Sequence, residues 1–572
     1  MKQHLKQKHI LSAAGAVTLA SLLSTAAPAW ADPVPSAGTV LNANRPATDT
    51  APKPADGLID NKANPAKPAT SGAVAGPSIH VTAFHFVGNT AYSEAVLQAL
   101  LNDFTGQDLT LDRINEEAET IKNHYRDQRY FLAQVFVPKQ SVKDGMITLQ
   151  VMEGAVGQVT VKVDKDARLA PQVAQGYFDN LLPAGTLITE TGLEKPLLLV
   201  NDLPGVVVHS TLKPGTAPGT ADLDIGIGDE GRLVSGYVQL DNKGSAESGR
   251  NRLTAGVDVR DLTGYGDLLS ISGLEATDNN TALGQINYSI PVGYSGAKVS
   301  ASYLALRYRL VGAFANLNAD GDARVLGLSA QYPLARSRNF NLFALAGFQD
   351  KDLNDRRNNG LSLDQHKISE GDVGLIGDSR DDLLGGGLNS FASNLFVGRN
   401  DYAVGIANDA YQTNGTFEKF TLDYRRLQNV ISNTSVLFSL SGQVANKNLT
   451  AAEKLAIGGP NGVRSYPTGE AAGDDAVIGS LELRQVVPQL GYDGAAFQLL
   501  AFFDYGLSQL NRTPLITDTV TRRTLRAGGL GLNMAKRDDY VIRVEWASTL
   551  GGPPALSDPS ASRIWATLTK YF

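Results

Sequence analysis

The stretch Arg252–Asp261, RLTAGVDVRD, alternates between apolar and polar residues. Leu253, Ala255, Val257 and Val259 would share one face of a β-strand, because successive side chains of a strand point to opposite sides. The intervening threonine, glycine, aspartate and arginine would share the other face. A strand with one apolar and one charged face fits a soluble sandwich or a transmembrane barrel, and the alternation alone does not separate them.

The same pattern recurs downstream, in KFTLDYRR (419–426) and in YVIRVEWA (540–547). Helical periodicity nearly vanishes after residue 230. At about 20 residues for a strand and its connection, the region 231–572 allows about 16 strands. The chain contains 58 glycines, more than helical proteins tolerate, and it ends on an alternating strand, WATLTKYF (565–572). We therefore expect an all-β domain here, and the N-terminus favours a barrel.

That N-terminus predicts a secretory signal peptide over residues 1–31. The segment 10–27 is small and apolar, and Ala29-Trp30-Ala31 fits the A-x-A cleavage pattern. A membrane anchor is the alternative, but the apolar run is short and Pro28 follows it. No later segment offers about 18 apolar residues in a row, so any later membrane span must be a barrel. Positive charge precedes the apolar run at Lys2, Lys6 and Lys8.

Residues 32–77 are rich in proline, alanine, threonine and aspartate, a composition that cannot bury an apolar face. We predict a linker, with at most a short helix near DGLIDNKA (56–63). A longer helix would place prolines in its interior, at a cost of about 3 kcal/mol each. These prolines are Pro33, Pro35, Pro46, Pro52, Pro54, Pro65 and Pro68.

Two α+β units follow, at 78–154 and 155–230. The first begins with the alternating strand IHVTAFHFVGN, continues with two helical segments, and ends with FLAQVFVP and GMITLQVMEG. The second repeats the order strand–helix–helix–strand–strand. Each unit is long enough to bury one modest core. We interpret them as a duplication of architecture without similarity of sequence.

Patterns for catalysis, cofactors and metals are weak. NLNADGD (316–322) lacks the glutamate that ends a calcium loop, and Gly529-Leu530-Gly531 is followed by a methionine where a nucleotide-binding loop needs glycine. His80 and His85 do not have metal-pair spacing, and no serine lies in a G-x-S-x-G elbow. The net charge of −7 argues against nucleic acid as a partner. We expect no enzyme, no cofactor and no metal.

Several segments together resemble the polypeptide-transport-associated (POTRA) domains of two-partner secretion transporters. LLLVNDLPGV (197–206), STLKPG (210–215) and GTADLDIGI (219–227) resemble the second such domain. Arg129 stands where the pattern of the first domain usually has glycine. The residues that resemble the first domain are Gly88, Asn89, Tyr125, Tyr130, Pro138, Gln140, Gly145, Glu153 and Gly154.

A glycine- and acid-rich loop contains Val463-Arg464-Ser465-Tyr466. It resembles the Val-Arg-Gly-Tyr tip of the long extracellular loop that folds back into the barrel in this family, with serine in place of glycine. The family partner is an Asp-x-Gly motif on a barrel strand, which stands here as Phe502, Asp504 and Gly506. A confined guanidinium needs a carboxylate to offset its desolvation, and Gly506 has no side chain to block the loop. A solvated arginine and an unrelated aspartate are the alternative.

The resemblance, which covers residues 78–572, implies an outer-membrane pore of about 16 antiparallel strands with its POTRA domains in the periplasm. Its partner would be a secreted exoprotein of the adhesin or haemolysin type. Outer-membrane lipid and the barrel assembly machinery, which would read Phe572, would be further partners. Relatives can carry an N-terminal plug helix, which the prolines of 32–77 disfavour. We expect the client to contact a POTRA segment formed by Asn201, Asp202, Leu203, Pro204 and Gly205.

Three other functions stay open at this stage. An insertase of the same superfamily would place clients into the bilayer beside its own barrel. A passive porin is the second. Diffusion needs no chain-binding domain, so the two α+β units argue against it. A surface adhesin built on a barrel is the third. The two POTRA-like units and the NDLPGV and LKPG segments favour the exporter.

Overall fold

The computed structural model describes residues 34–44, 59–60, 77–229, 231–404, 409, 411–516, 518–555 and 558–572. Residues from Pro35 to Phe572 form one compact unit. The predicted signal peptide lies outside the described residues, as does most of the predicted linker. Within the described part of the chain, no helix is long and apolar enough to cross a membrane.

Two short elements precede the first α+β unit: helix α1 (Ala37–Ala43) and strand β1 (Ile59–Asp60). The first unit then has a three-stranded sheet of order β3–β6–β5 and a two-stranded sheet of β2 and β4. Its elements are β2 (Ser78–His80), β3 (Ala83–Val87), α2 (Glu94–Ala99), a 3₁₀ turn (Asn102–Phe104), β4 (Asp108–Thr110), α3 (Leu111–Asp127), β5 (Gln134–Phe136) and β6 (Met146–Met152).

The second unit consists of β7 (Ala155–Val163), α4 (Pro171–Leu181), α5 (Glu190–Asn201), β8 (Val206–Pro214) and β9 (Thr220–Asp229). Its sheet has the order β1–β8–β9–β7, so β1 extends the sheet beyond β8. The second unit has the predicted order strand–helix–helix–strand–strand, whereas the first unit has the additional strands β2 and β4, with β4 between its two helices. Each unit buries its own apolar cluster, one around Ile121 and Tyr125 and the other around Tyr177 and Leu197.

Sixteen antiparallel strands close the barrel, in the order β10 to β20 and then β23 to β27. The sixteen-stranded barrel predicted from sequence is confirmed. Its strands are β10 (Val234–Asp241), β11 (Arg252–Arg260), β12 (Leu268–Ala276), β13 (Thr281–Val292), β14 (Ala297–Arg309), β15 (Asp320–Arg336), β16 (Phe340–Arg357), β17 (Ser362–Asp381), β18 (Gly387–Val404), β19 (Gly415–Ile431), β20 (Thr434–Ala445), β23 (Asp475–Val486), β24 (Ala496–Gln509), β25 (Arg522–Lys536), β26 (Tyr540–Thr549) and β27 (Ser562–Tyr571).

Between β20 and β23 lie the two-residue strands β21 (Leu455–Ala456) and β22 (Ala472–Gly473), which pair with each other. Three 3₁₀ turns occupy other barrel connections, at Gly312–Leu317, Leu383–Gly385 and Pro488–Leu490.

The alternation seen in the sequence separates residues of the outer wall from residues that face the barrel interior. On β14, Tyr303 is 44% exposed on the outer wall, whereas its neighbours Leu304 and Leu306 are buried inside. The same inward face carries Tyr308, also buried. The outer face of this strand is exposed, and its inner face packs against chain inside the barrel, including α1.

The barrel closes between its first and last strands. β10 and β27 pair over five residues, from Tyr237 opposite Tyr571 to Asp241 opposite Thr567. Beyond this ladder, the N–H of Phe572 donates to the carbonyl of Gly236 at 3.0 Å, and the N–H of Gly236 donates back at 2.9 Å. The last residue of the chain therefore takes part in the closing seam.

The linker prediction is wrong for residues 37–43, which form a helix inside the barrel against β14, β15 and β16. Val40 and Leu41 are buried, and the side chain of Ser36 caps the N-terminus. Tertiary contacts stabilise a helix this short, which propensity alone would not support. The helix allowed near 56–63 is also wrong, because Ile59–Asp60 is a strand that pairs with the backbone of β8.

A buried polar cluster surrounds Glu153 in the first unit. Its carboxylate accepts hydrogen bonds from the Thr90 hydroxyl, from Thr90 N–H at 2.7 Å, from Ala91 N–H at 2.8 Å and from the Tyr125 hydroxyl at 2.7 Å. Burial acts to raise the pKa of Glu153, but these hydrogen bonds outweigh it and the pKa is lowered. Arg129, the residue in place of glycine, adopts a left-handed φ of 71°.

We expect Glu153→Gln to destabilise the first unit by about 2 kcal/mol, because four donors then face a neutral amide. The lowered pKa means that the charged form stabilises the fold above the unfolded pKa of about 4.3, and that this contribution is lost as pH falls through the folded pKa. Urea titration of the full chain, followed by helical circular dichroism, should show the mutant deficit shrinking below about pH 4. The exposed Glu94→Gln is the control, and an equal deficit there would contradict the assignment.

Candidate functional site

The connection between β20 and β23, residues 446–474, turns back into the barrel. The N–H of Gly458 donates to the Glu470 carbonyl at 3.0 Å, and the N–H of Val463 donates to the Ile457 carbonyl at 2.8 Å, so the tip is a compact turn. Ile457 and Val463 are fully buried in one cluster with Leu525 of the barrel wall. The loop is therefore packed as part of the interior.

Arg464, at the tip, contacts Asp504 on β24 through a two-pronged ion pair. Its Nε and Nη2 donate to the two carboxylate oxygens at 2.9 and 2.8 Å, and its backbone N–H donates at 3.1 Å. Asp504 is fully buried, so the pair is shielded from water. A planar guanidinium that donates two hydrogen bonds to one carboxylate fixes the orientation of the two groups and also neutralises their charges.

Two further carboxylates contact the same guanidinium. Nη1 of Arg464 lies 2.8 Å from Glu482 on β23 and 2.5 Å from Glu545 on β26. The excess negative charge is offset by Arg484, which pairs with Glu482, and by Arg543, which contacts both glutamates. Three cations and three anions thus share one buried site, where unbalanced charge would be costly.

Aromatic residues complete the site. The guanidinium carbon of Arg464 lies 3.3 Å from the centre of the Phe502 ring. The indole N–H of Trp565, on β27, donates to the Arg464 carbonyl at 2.7 Å. The Tyr466 hydroxyl donates to the Pro553 carbonyl at 3.0 Å. The loop tip is therefore fastened to β23, β24, β26 and β27 together.

Helix α1 reaches the same interior from the opposite wall. The N–H of Ala37 donates to Asp355 on β16 at 2.7 Å, and the Tyr308 hydroxyl also contacts that carboxylate. At the other end of the helix, Asn44 accepts a hydrogen bond from Arg252 at 2.8 Å. Helix and loop together obstruct the barrel interior in this structure.

Two family models match this chain. Residues 219–534 match the family described as "Haemolysin secretion/activation protein ShlB/FhaC/HecB", and residues 79–154 match the "POTRA domain, ShlB-type". The chain belongs to the ShlB/FhaC/HecB family. "Heme/hemopexin transporter protein HuxB" of Haemophilus influenzae (strain 86-028NP) is 28% identical over 485 residues, 83% of this chain and 84% of HuxB.

Other relatives of this ShlB/FhaC/HecB member agree in architecture. "Outer membrane transporter CdiB" of Dickeya dadantii (strain 3937) is 24% identical over 478 residues, 81% of this chain and 82% of that protein. The solved structure of CdiB from Escherichia coli superposes with a TM-score of 0.74 at 19% identity, covering 89% of this chain and 93% of CdiB. The shared fold is a barrel preceded by POTRA domains.

The protein is thus a two-partner secretion transporter of the outer membrane, with its POTRA domains in the periplasm. It translocates an exoprotein across that membrane. The periplasmic side of the barrel is the side on which the second α+β unit lies. Its Asp202 and Glu194 contact Arg336 and Arg338 at the connection between β15 and β16.

The structure brings together the loop tip Val463–Tyr466 and the strand residues Phe502, Asp504 and Gly506, as the sequence predicts. Gly506 leaves room for the loop, because a Cβ there would lie 2.9 Å from Val463 Cγ2. Ser465 is fully buried and does not adopt a positive φ, so the serine brings no backbone strain. No group of three or more His, Asp or Glu residues that could hold a metal occurs in the described part of the chain.

The segment Asn201–Gly205, which the sequence predicts to contact the client, lies where the second POTRA unit meets the barrel. Asn201 accepts the Val208 N–H within its own unit, Asp202 pairs with Arg336, and Leu203 is buried next to Gly266 of a barrel turn. These contacts join the unit to the barrel, and contact of this segment with a client stays a prediction.

Proposed function

We propose that the exoprotein enters as an unfolded, extended chain that adds a strand to a POTRA sheet before it threads the barrel. One observation carries this proposal: the edge of the second unit's sheet already holds an added strand. Ile59 and Asp60 lie opposite Ser210 and Thr211 of β8 in parallel register. Backbone pairing of this kind accepts many sequences, as a client-binding edge must.

The segment Ile59–Asp60 and a client strand would compete for the same edge of β8. A client strand that pairs with more of the β8 edge than Ile59 and Asp60 do would displace them. Displacement of this segment, which follows α1 in the chain, would favour release of α1. The proposal therefore makes client binding the first step of opening.

The Arg464 site would hold the pore in its resting state until the client arrives. The loop and α1 obstruct the interior, so an extended polypeptide needs both to move. No nucleotide-binding pattern stands in the sequence, and we propose no catalytic step. Folding of the client outside the cell would supply direction.

The proposed client is a large secreted exoprotein of the adhesin or haemolysin type. HuxB is named for haem and haemopexin, but we do not propose that cargo for this protein. We also propose lipid contact through the exposed outer wall, and recognition of Phe572 by the barrel assembly machinery, since Phe572 is 54% exposed at the seam. Nucleic acid is not a proposed partner.

The competition at β8 can be tested by tethering, since the chain has no cysteine. Asp60→Cys with Thr211→Cys would form a disulfide across the β1–β8 pair, where neighbouring backbones lie close enough. We expect secretion and binding of the N-terminal part of the cognate exoprotein to fall at least about tenfold when oxidised, and to return on reduction. Each single-cysteine variant is the control. Full secretion with a complete disulfide would contradict the proposal.

A further inference from the structure

Far from the tip, where Arg464 and the buried pair of Glu470 with Arg523 on β25 hold it, the loop has another ionic contact with the wall. Glu453 is buried, and its carboxylate lies 2.6 Å from Lys351 Nζ on β16 and also contacts Lys419 Nζ on β19. Lys351 is fully buried and lies 2.6 Å from Glu370 on β17. We propose that Glu453 is a further anchor of the loop and that helix α1 keeps this anchor closed.

Charge balance makes Glu453 a positioning residue for the loop. The wall contributes Lys351, Lys419 and Glu370, and Glu453 supplies the second carboxylate in direct contact with the two lysines. Without it, two buried ammonium groups would share Glu370, with Asp372 nearby on the same strand. A buried cation that loses its partner is strongly destabilised. The wall therefore favours the loop in its present place.

Helix α1 lies directly on this part of the loop. The side-chain amide of Asn42 donates to the carbonyls of Ala451 and Lys454, at 3.0 and 2.8 Å, on either side of Glu453. A Cβ built on Gly38 would lie 2.6 Å from the backbone nitrogen of Ala452, so the helix and loop backbones touch. Segment 451–454 is therefore held between the helix and the wall.

This arrangement gives an order to opening. While α1 is in place, it covers the loop segment and excludes water, which keeps the ion pairs of Glu453 strong. When α1 leaves, two hydrogen bonds are lost and water reaches the cluster. The anchor at Glu453 then loosens, whereas the Arg464 site still holds the tip. The loop segment around Glu453 is therefore released before the tip at Arg464.

Two buried hydroxyls offer reporters for the two ends of the loop. Thr450 lies three residues from Glu453, and Ser465 follows Arg464; the side-chain oxygens of both lack a hydrogen-bond partner among the described residues. In this cysteine-free chain, Thr450→Cys or Ser465→Cys would supply one thiol whose reaction with a maleimide reports local opening.

The experiment compares labelling rates of the purified full chain in nanodiscs. We expect Glu453→Gln, and separately Asn42→Ala, to speed labelling at Thr450→Cys by about tenfold or more, while Ser465→Cys changes less than about threefold. Lys351→Met should act like Glu453→Gln, and Lys351→Arg should restore the slow rate because it keeps the charge. A heat-modifiable band in gels checks that each barrel is folded.

The proposal is overturned if labelling at Thr450→Cys stays within about twofold in Glu453→Gln or in Asn42→Ala, or if both reporters speed up equally. Should Glu453→Gln fail to fold, Asn42→Ala decides alone, since its amide contacts only loop carbonyls at this place.

Discussion

Replacing Arg464 by alanine is expected to reduce secretion more than any other single change in the loop. The substitution leaves Asp504, Glu482 and Glu545 around an empty site, with Arg484 and Arg543 as the remaining cations. An uncompensated buried charge costs about 3–5 kcal/mol, enough to release the loop tip in most molecules. Export of the exoprotein into the medium, at matched barrel levels, is the measurement.

Asp504→Ala should have the same direction and a smaller size, because Arg464 keeps Glu482 and Glu545. The double substitution should be no worse than Arg464→Ala alone, since both changes remove one interaction. Arg399→Ala is the matched control: its pair with Asp401 is exposed, and such pairs contribute about 0–1 kcal/mol. Additive losses, or normal export in both single variants, would contradict a lumenal pair.

The second large effect is expected at the junction of the second POTRA unit and the barrel. Arg336 donates to both oxygens of Asp202 at 2.7 and 2.8 Å and to Asn341 at 2.8 Å, and its side chain is almost fully buried. Arg336→Ala should weaken this contact by about 3 kcal/mol, because Asp202 loses its bidentate partner. We expect faster protease cleavage between the unit and the barrel, together with reduced export.

Arg338→Ala provides the comparison at the same barrel turn. Arg338 pairs with the buried Glu194, but its own side chain is 40% exposed and water can reach the pair from that side, so its loss should speed cleavage less than the loss of Arg336. Asp202→Ala should reproduce the effect of Arg336→Ala without adding to it in the double variant. Unchanged cleavage in Arg336→Ala would show that other contacts hold the junction.

Local patterns made much of this fold predictable. Alternation in segments such as Arg252–Asp261 gave the strands, and repeated element order gave the two α+β units. The pair of Arg464 and Asp504 was accessible because both stand in short motifs of recognisable type. Each of these signals lies within a few consecutive residues.

What the sequence did not reveal depends on contacts between distant segments. Glu482 and Glu545 stand at lumen-facing positions of their strands, but only the barrel register brings both to Arg464. Trp565 was noted as part of the terminal strand, without any sign that its N–H reaches the loop. Helix α1 is seven residues long and is stabilised by burial of Val40 and Leu41, which composition cannot show.

The Asn201–Gly205 segment was singled out by its resemblance to a POTRA motif, which carries no information about its neighbours. In the structure its contacts are with Val208, Arg336 and the barrel turn at Gly266. A motif that joins two domains and a motif that binds a ligand both combine polar residues, proline and glycine. Only the neighbouring domain distinguishes them.

We expect the exoprotein to pass through the lumen of this barrel. Photo-crosslinking of a client arrested during export tests this path most directly. A benzoylphenylalanine probe at Asn533 would face the lumen, since Asn533 lies opposite Arg543 of the inner wall, whereas a probe at Leu532 would face lipid. We predict client crosslinks from position 533 and none from 532. Crosslinks from 532 and from the outer side of the β10–β27 seam, with none from 533, would contradict export through the lumen and favour insertion into the bilayer.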